Sequence, residues 1–161
     1  MSRIAQQIQM LRGQIGQAIY TSKAFTLSQR EVDVFAALTE NIDPMHNDPE
    51  WTKSSPWGQT IVHGLFELSL ISKFYKEAGL PIYTTEEMYA MNYGLDRVRY
   101  PAPFLTDKPA RCIVYLNDII EKDPGRYVIK TTYEIFQEGS SLPSMVATYL
   151  IMIFLTGEGN N

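Results

Sequence analysis

The sequence predicts an α+β fold in which an antiparallel sheet wraps around one long central helix, and three observations predict it. Residues 62–78 carry Leu65, Phe66, Leu68, Leu70, Ile71, Phe74 and Tyr75 in a run apolar nearly all round, the pattern of a helix buried on every side. Four later stretches, residues 88–100, 110–119, 127–136 and 144–155, are strands by their alternation and their β-branched and aromatic content. Turn signals at Asp123-Pro124-Gly125 and across residues 139–143 reverse the chain between strands, so neighbours run antiparallel. In the third strand Tyr127, Ile129, Thr131, Tyr133 and Ile135 share one face, and Lys130, Thr132 and Glu134 the other. A single sheet of this kind has one open face and two bare edges, so a homodimer or higher oligomer is expected.

The totals agree with one ordered domain. With 161 residues, 45% hydrophobic and 20% charged, the chain is long and apolar enough to bury a core. A net charge of −4, spread along the chain, argues against a nucleic-acid partner. The single cysteine, Cys112, excludes an internal disulfide and fits a reducing, cytoplasmic setting; its apolar surroundings make it a core residue. The opening MSRIAQQIQMLRGQ is too polar for a signal-peptide core, and no run approaches the roughly 20 apolar residues of a membrane span. Residues 146–155 are strongly apolar but too short for one and read as a buried strand.

In chain order, Ile4, Ile8, Leu11 and Ile15 recur at helical spacing and predict an amphipathic helix over residues 3–18, with residues 1–22 as a helical extension. Residues 20–26 predict a first strand. Ser28 and Glu31 then form a capping box, and Val32, Phe35, Ala36 and Leu38 the buried face of the helix it opens. That helix delivers a polar loop containing Asn41, Asp43 and His46. Asp48-Pro49 is an N-cap and first-turn proline for a short helix ending before Ser54-Ser55-Pro56. Trp51 and Trp57 flank it as packing residues. Gly79 stops the central helix, and Pro101, Pro103 and Pro109 mark a loop at the end of the sheet.

Both histidines lie in residues 38–64, LTENIDPMHNDPEWTKSSPWGQTIVHG. Pro44 restrains the loop before His46 and keeps Asp43 out of helix. A helix opening at His63-Gly64 points free backbone N–H groups outward, and glycine lets a ligand approach them. One imidazole and one backbone oxyanion donor are a minimal kit for acyl chemistry. Two histidines with no paired cysteine make no convincing metal cluster, so neither metal nor cofactor is expected.

FAALTENIDPMHNDPEW, followed by IVHGLF, closely resembles the MaoC-like acyl dehydratases, which include (R)-specific enoyl-CoA hydratases; the stretch NYGLDRVRYP is similar to their nodulation-protein-N-like branch. The resemblance spans residues 25–155 and implies a single hot-dog domain over residues 23–161. It also implies two sheets joined edge to edge in a dimer, with an acyl tunnel along the subunit boundary. The activity implied is reversible hydration of an enoyl thioester, carried by CoA or acyl-carrier protein, to the 3-hydroxyacyl thioester. Residue by residue, His46 takes the acid/base position and Gly64 N–H the oxyanion donor's. Ser72 matches the serine that bonds the catalytic carboxylate, and so would face residue 41. The chain departs from the family there: Asn41 stands where the catalytic aspartate is usual, and Asp43 where an asparagine is usual. An amide holds water but takes no proton at neutral pH. His46 then works alone, or Asp43 supplies the carboxylate, or the protein binds acyl thioesters with little or no turnover. A hot-dog thioesterase is the other enzymatic reading. Arg97 and Arg99, on one strand face, either pair with acids such as Asp96 and Glu134 or meet the phosphates of a nucleotide thioester.

Overall fold

The computed structural model describes residues 3–156. Five antiparallel strands form one sheet: β1 (Ala18–Thr21), β2 (Met88–Arg99), β3 (Ala110–Asp123), β4 (Arg126–Gln137) and β5 (Met145–Leu155), in the order β1-β3-β4-β5-β2. The three long strands β3, β4 and β5 form the middle, turned by Gly125 and Gly139, both at positive φ where a side chain is strained. On β4 the expected alternation holds: Ile129, Thr131, Tyr133 and Ile135 are buried, and Lys130, Thr132 and Glu134 are only partly so. The fold is thus α+β with an antiparallel sheet, as expected, and all four expected strands form.

The N-terminal end differs from expectation in both its helix and its strand. The helix α1 (Arg3–Arg12) stops ahead of Gly13 and Gly16, and Gly16 at φ +84° hands the chain to β1, its N–H on the Leu116 carbonyl (2.7 Å). Ile15 is therefore exposed, not on a helix face. The first strand covers Ala18–Thr21 instead of residues 20–26, because Phe25 makes only an isolated bridge to Ala110. Ile8 and Leu11 lie in the same core as the sheet, so the N-terminal helix is packed into the domain.

The helix α2 (Gln29–Thr39) opens on the expected capping box, with the Ser28 hydroxyl and the Glu31 carboxylate each bonding the other's backbone N–H. Val32 and Ala36 are buried and Phe35 half-buried, but Leu38 is exposed, two residues round the helix from Ala36 and so nearly opposite it.

The central helix is not one rod. α5 (Gly64–Ser69) and α6 (Ile71–Glu77) meet at Leu70, whose N–H bonds the Glu67 carbonyl three residues back (3.2 Å), a local tightening of the helix. Nor is it buried all round. Ile71, Phe74 and Tyr75 face the core, while Leu65, Ser69, Ser72 and Lys76 are exposed, because the sheet covers one side only. Cys112 is fully buried, and its burial pushes the thiol well above its ordinary pKa. Among the described residues no helix is long and apolar enough to cross a membrane.

Candidate active site

The site is assembled from two short helix openings. Glu40, at φ +55°, closes α2 in the left-handed conformation, and the Asn41 N–H bonds back to the Ala36 carbonyl (3.1 Å). Asp43 then caps the single turn α3 (Pro44–Asn47), its Oδ1 accepting the Met45 N–H at 2.9 Å, with Pro44 at the first position. His46 is thus held on a helical turn where a loop was expected. Asp48 caps the next turn, α4 (Pro49–Thr52), accepting the Glu50 and Trp51 N–H groups. From α2, the Gln29 amide donates to the His46 carbonyl (2.8 Å), and Asp33 accepts from Asn47 Nδ2 (2.8 Å). These bonds fix the turn that presents the imidazole.

The ring is oriented by the segment ahead of α5. Ile61 N–H donates to the Met45 carbonyl (3.0 Å), and the Ile61 carbonyl faces His46 Nδ1 at 2.7 Å. A carbonyl only accepts, so Nδ1 carries a proton, and in the neutral ring the lone pair falls to Nε2, the form of a base. His63, the N-cap of α5, stacks on His46 with ring centroids 3.8 Å apart and meets the Asn41 carbonyl through Nε2 at 2.9 Å. By the same logic His63 carries its proton on Nε2. Its Nδ1 is buried with no partner among the described residues. Only 2% exposed, His63 has its pKa lowered, chiefly by desolvation, and stays neutral.

Gly64 opens α5 with its N–H free of any acceptor among the described residues. A Cβ built on Gly64 would lie 2.9 Å from Tyr100 Cζ, so this position admits only glycine with the phenol where it stands. One turn on, Glu67 is 2% exposed, and desolvation raises its pKa to about 8 despite the opposing hydrogen bond from Ser144.

The sequence-predicted residues separate into two groups. Asn41, Asp43 and His46 are held by the bonds above, and Gly64 is brought beside them by its neighbour His63, which stacks on His46 and bonds the Asn41 carbonyl. Ser72 does not join them: it lies on the exposed side of α6 and makes no bond to Asn41 among the described residues. The reason is helical phase, since Ile71, Phe74 and Tyr75 take the inward positions and Ser72 faces away. Arg97 and Arg99 are exposed near the end of β2; Arg99 bonds its neighbour's Val98 carbonyl (2.7 Å), and Asp96 pairs with Lys130 (2.5 Å) instead of either arginine. His63, Glu67 and Tyr100 are the residues that sequence reasoning passed over. The IVHG run marks His63, but no spacing signals a buried Glu67 or a ring from just after β2 over Gly64.

The sequence profile of the MaoC-like domain family matches residues 11–137. The chain belongs to this family. It is 32% identical over 139 residues to "3-hydroxyacyl-thioester dehydratase Z" of Mycobacterium tuberculosis, which covers 84% of this chain and 88% of that protein. To "Nodulation protein N" of Rhizobium leguminosarum bv. viciae it is 34% identical over 142 residues, 86% of each chain. The solved (R)-hydratase of Aeromonas caviae superimposes with a TM-score of 0.67 at 19% identity, covering 84% of this chain and 95% of its own, and so shares the hot-dog fold. The MaoC-like domain here is of the hydratase/dehydratase type, a lyase.

Proposed function

We propose that this protein adds water reversibly across the double bond of a trans-2-enoyl thioester, giving the (R)-3-hydroxyacyl thioester. The observation that carries the reading is the His46 ring, clamped through Nδ1 on the Ile61 carbonyl so that Nε2 remains a base. His46 Nε2 takes a proton from a water whose oxygen bonds C3. The π pair moves toward the thioester carbonyl, where the Gly64 N–H receives the growing negative charge. Asn41 holds the water through its amide. Because an amide takes no proton, the proton His46 removes is the one it returns to C2, which completes the addition. Asp43 spends a carboxylate oxygen on capping α3, a role an asparagine would fill equally, so it does not replace the missing catalytic aspartate.

The substrate is a CoA or carrier-protein thioester, with Arg97 and Arg99 toward the phosphates of its carrier. The assembly is a homodimer through β2, an edge strand with Tyr89, Met91, Tyr93 and Leu95 exposed. The setting is cytoplasmic. A second reading, acyl-thioester binding with slow turnover, is favoured by the same Asn41: one absent acid/base group typically costs about 10²–10⁴-fold. Loss of enoyl absorbance from crotonyl-CoA, with chiral analysis of the product, tests the proposal. Formation of (R)-3-hydroxybutyryl-CoA supports it; release of free thiol instead would assign a thioesterase, and binding without either would assign the second reading.

A further inference from the structure

Tyr100 is the first residue after β2 and precedes Pro101, which ends the strand by withholding a backbone donor. Its ring reaches across to Gly64. From the Cβ position of Gly64 the nearest atoms are Tyr100 Cζ at 2.9 Å and Cε1 and Cε2, both at 3.1 Å. The two equal Cε distances mean that the ring presents its face, and the shorter Cζ distance that the hydroxyl end is the part over Gly64. The phenol therefore lies against Gly64 itself, the residue whose N–H has no acceptor among the described residues. Tyr100 is 42% exposed, and its hydroxyl has no partner among the described residues. Tyr20 and Tyr115, by contrast, spend their hydroxyls on Glu77 and Glu134, acids away from this turn.

We propose that the Tyr100 hydroxyl is a second donor to the thioester carbonyl beside the Gly64 N–H, and so a catalytic residue of the hydration. This rests on the hydratase reading of the site. Adding water at C3 moves the π electrons onto the carbonyl oxygen, and one backbone N–H leaves half of that oxygen's lone-pair capacity unanswered. A phenol fixed by its ring face on Gly64 is preorganised to fill it, with no further side chain to order. Desolvation, and secondly the nearby Glu67, raise the Tyr100 pKa, so the hydroxyl keeps its proton to donate. The same contact gives Gly64 a second reason to lack a side chain: any Cβ would displace the donor.

Tyr100→Phe keeps the ring and removes only the donor. Two measurements on the full chain test it: kcat and KM for crotonyl-CoA hydration, and the red shift of bound cinnamoyl-CoA, whose absorbance reports polarisation of its carbonyl without requiring turnover. The variant is expected to lose about 10²-fold in kcat, with KM within a few-fold, an unchanged melting temperature and a smaller red shift. Equal red shifts in the two proteins would overturn the proposal, whatever happens to kcat. If the wild type binds the chromophore without hydrating crotonyl-CoA, the hydratase reading fails while the red-shift comparison still decides Tyr100. If neither thioester binds the wild type, both fall.

Discussion

The turn that opens α3 and the turn that opens α5 meet ring on ring at His46 and His63, yet they treat ionisable groups in opposite ways. On α3 the polar side chains are partly or fully exposed, and each is engaged: Asp43 and Asp48 as caps, Asn47 on Asp33, His46 on Ile61. At α5 the ionisable groups, His63 at its N-cap and Glu67, are dry. Desolvation lowers the His63 pKa and raises that of Glu67 to about 8, so one cause drives a base and an acid alike to their neutral forms. In the proposed hydration the labour divides along this line: the group that exchanges protons with substrate and water sits on the wet turn, and the dry turn would supply an uncharged floor on which an oxyanion is not opposed by a neighbouring carboxylate.

Exchanging the roles of the two rings is the strongest way to break this comparison. His46→Ala is expected to lower crotonyl-CoA hydration by about 10²–10⁴-fold with the fold intact by circular dichroism. His63→Ala is expected to act mainly on stability, by about 1–3 kcal/mol for the lost bond to the Asn41 carbonyl and the vacated stack, with a smaller loss of rate. Equal rate losses from both would erase the distinction between the turns.

The dry turn also makes a prediction in pH. Glu67 keeps its proton in the fold up to about 8 and loses it near 4.5 when unfolded, so the folded state holds the extra proton between those values. Stability from this group is therefore fully present below about 4.5 and falls as pH rises toward 8. The interval from 4.5 to pH 7, at roughly 1.4 kcal/mol per pH unit, amounts to about 3 kcal/mol. Urea denaturation of Glu67→Gln should recover most of it at pH 7 and flatten the slope over that window. His63 works in the other direction: its folded pKa lies below 6.5, so stability falls as pH drops below 6.5, where the unfolded chain takes up the proton first.

The smallest expected effect lies on the wet turn. Asp43→Ala should cost about 1 kcal/mol as a lost cap, whereas Asp43→Asn, which caps as well, should leave both stability and rate nearly unchanged. A large rate loss in Asp43→Asn would mean that this carboxylate does chemistry after all.

What could be read in advance follows from the range of the interactions. The capping box at Ser28 and Glu31, the cap at Asp48, and the strands β3 to β5 are local or strictly periodic, and four or five residues suffice to reveal them; the cap at Asp43, where a loop was expected, emerges only in the structure. The meeting of the segments that carry Asn41, Asp43, His46 and Gly64 was legible for a similar reason, being close in sequence and carried by a resemblance, while their roles belong to the proposed hydration. Ser72 failed because it was placed by analogy while the phase of α6 depends on which side of the helix the sheet covers. The break at Leu70 arises from a single shifted hydrogen bond that no residue type announces. Glu67 and Tyr100 were invisible because burial of an acid under Ser144, and the approach of a ring to Gly64 from 36 residues away, are properties of the packed sheet and not of any window of sequence.

In the proposed hydration His46 carries the proton transfer alone, because position 41 holds an amide. Hydration of crotonyl-CoA by the wild type and by Asn41→Asp tests it directly. A gain of about 10²-fold or more is expected in the variant, the size of one restored acid/base group. An unchanged or lower rate in Asn41→Asp, with the wild type active, would contradict it.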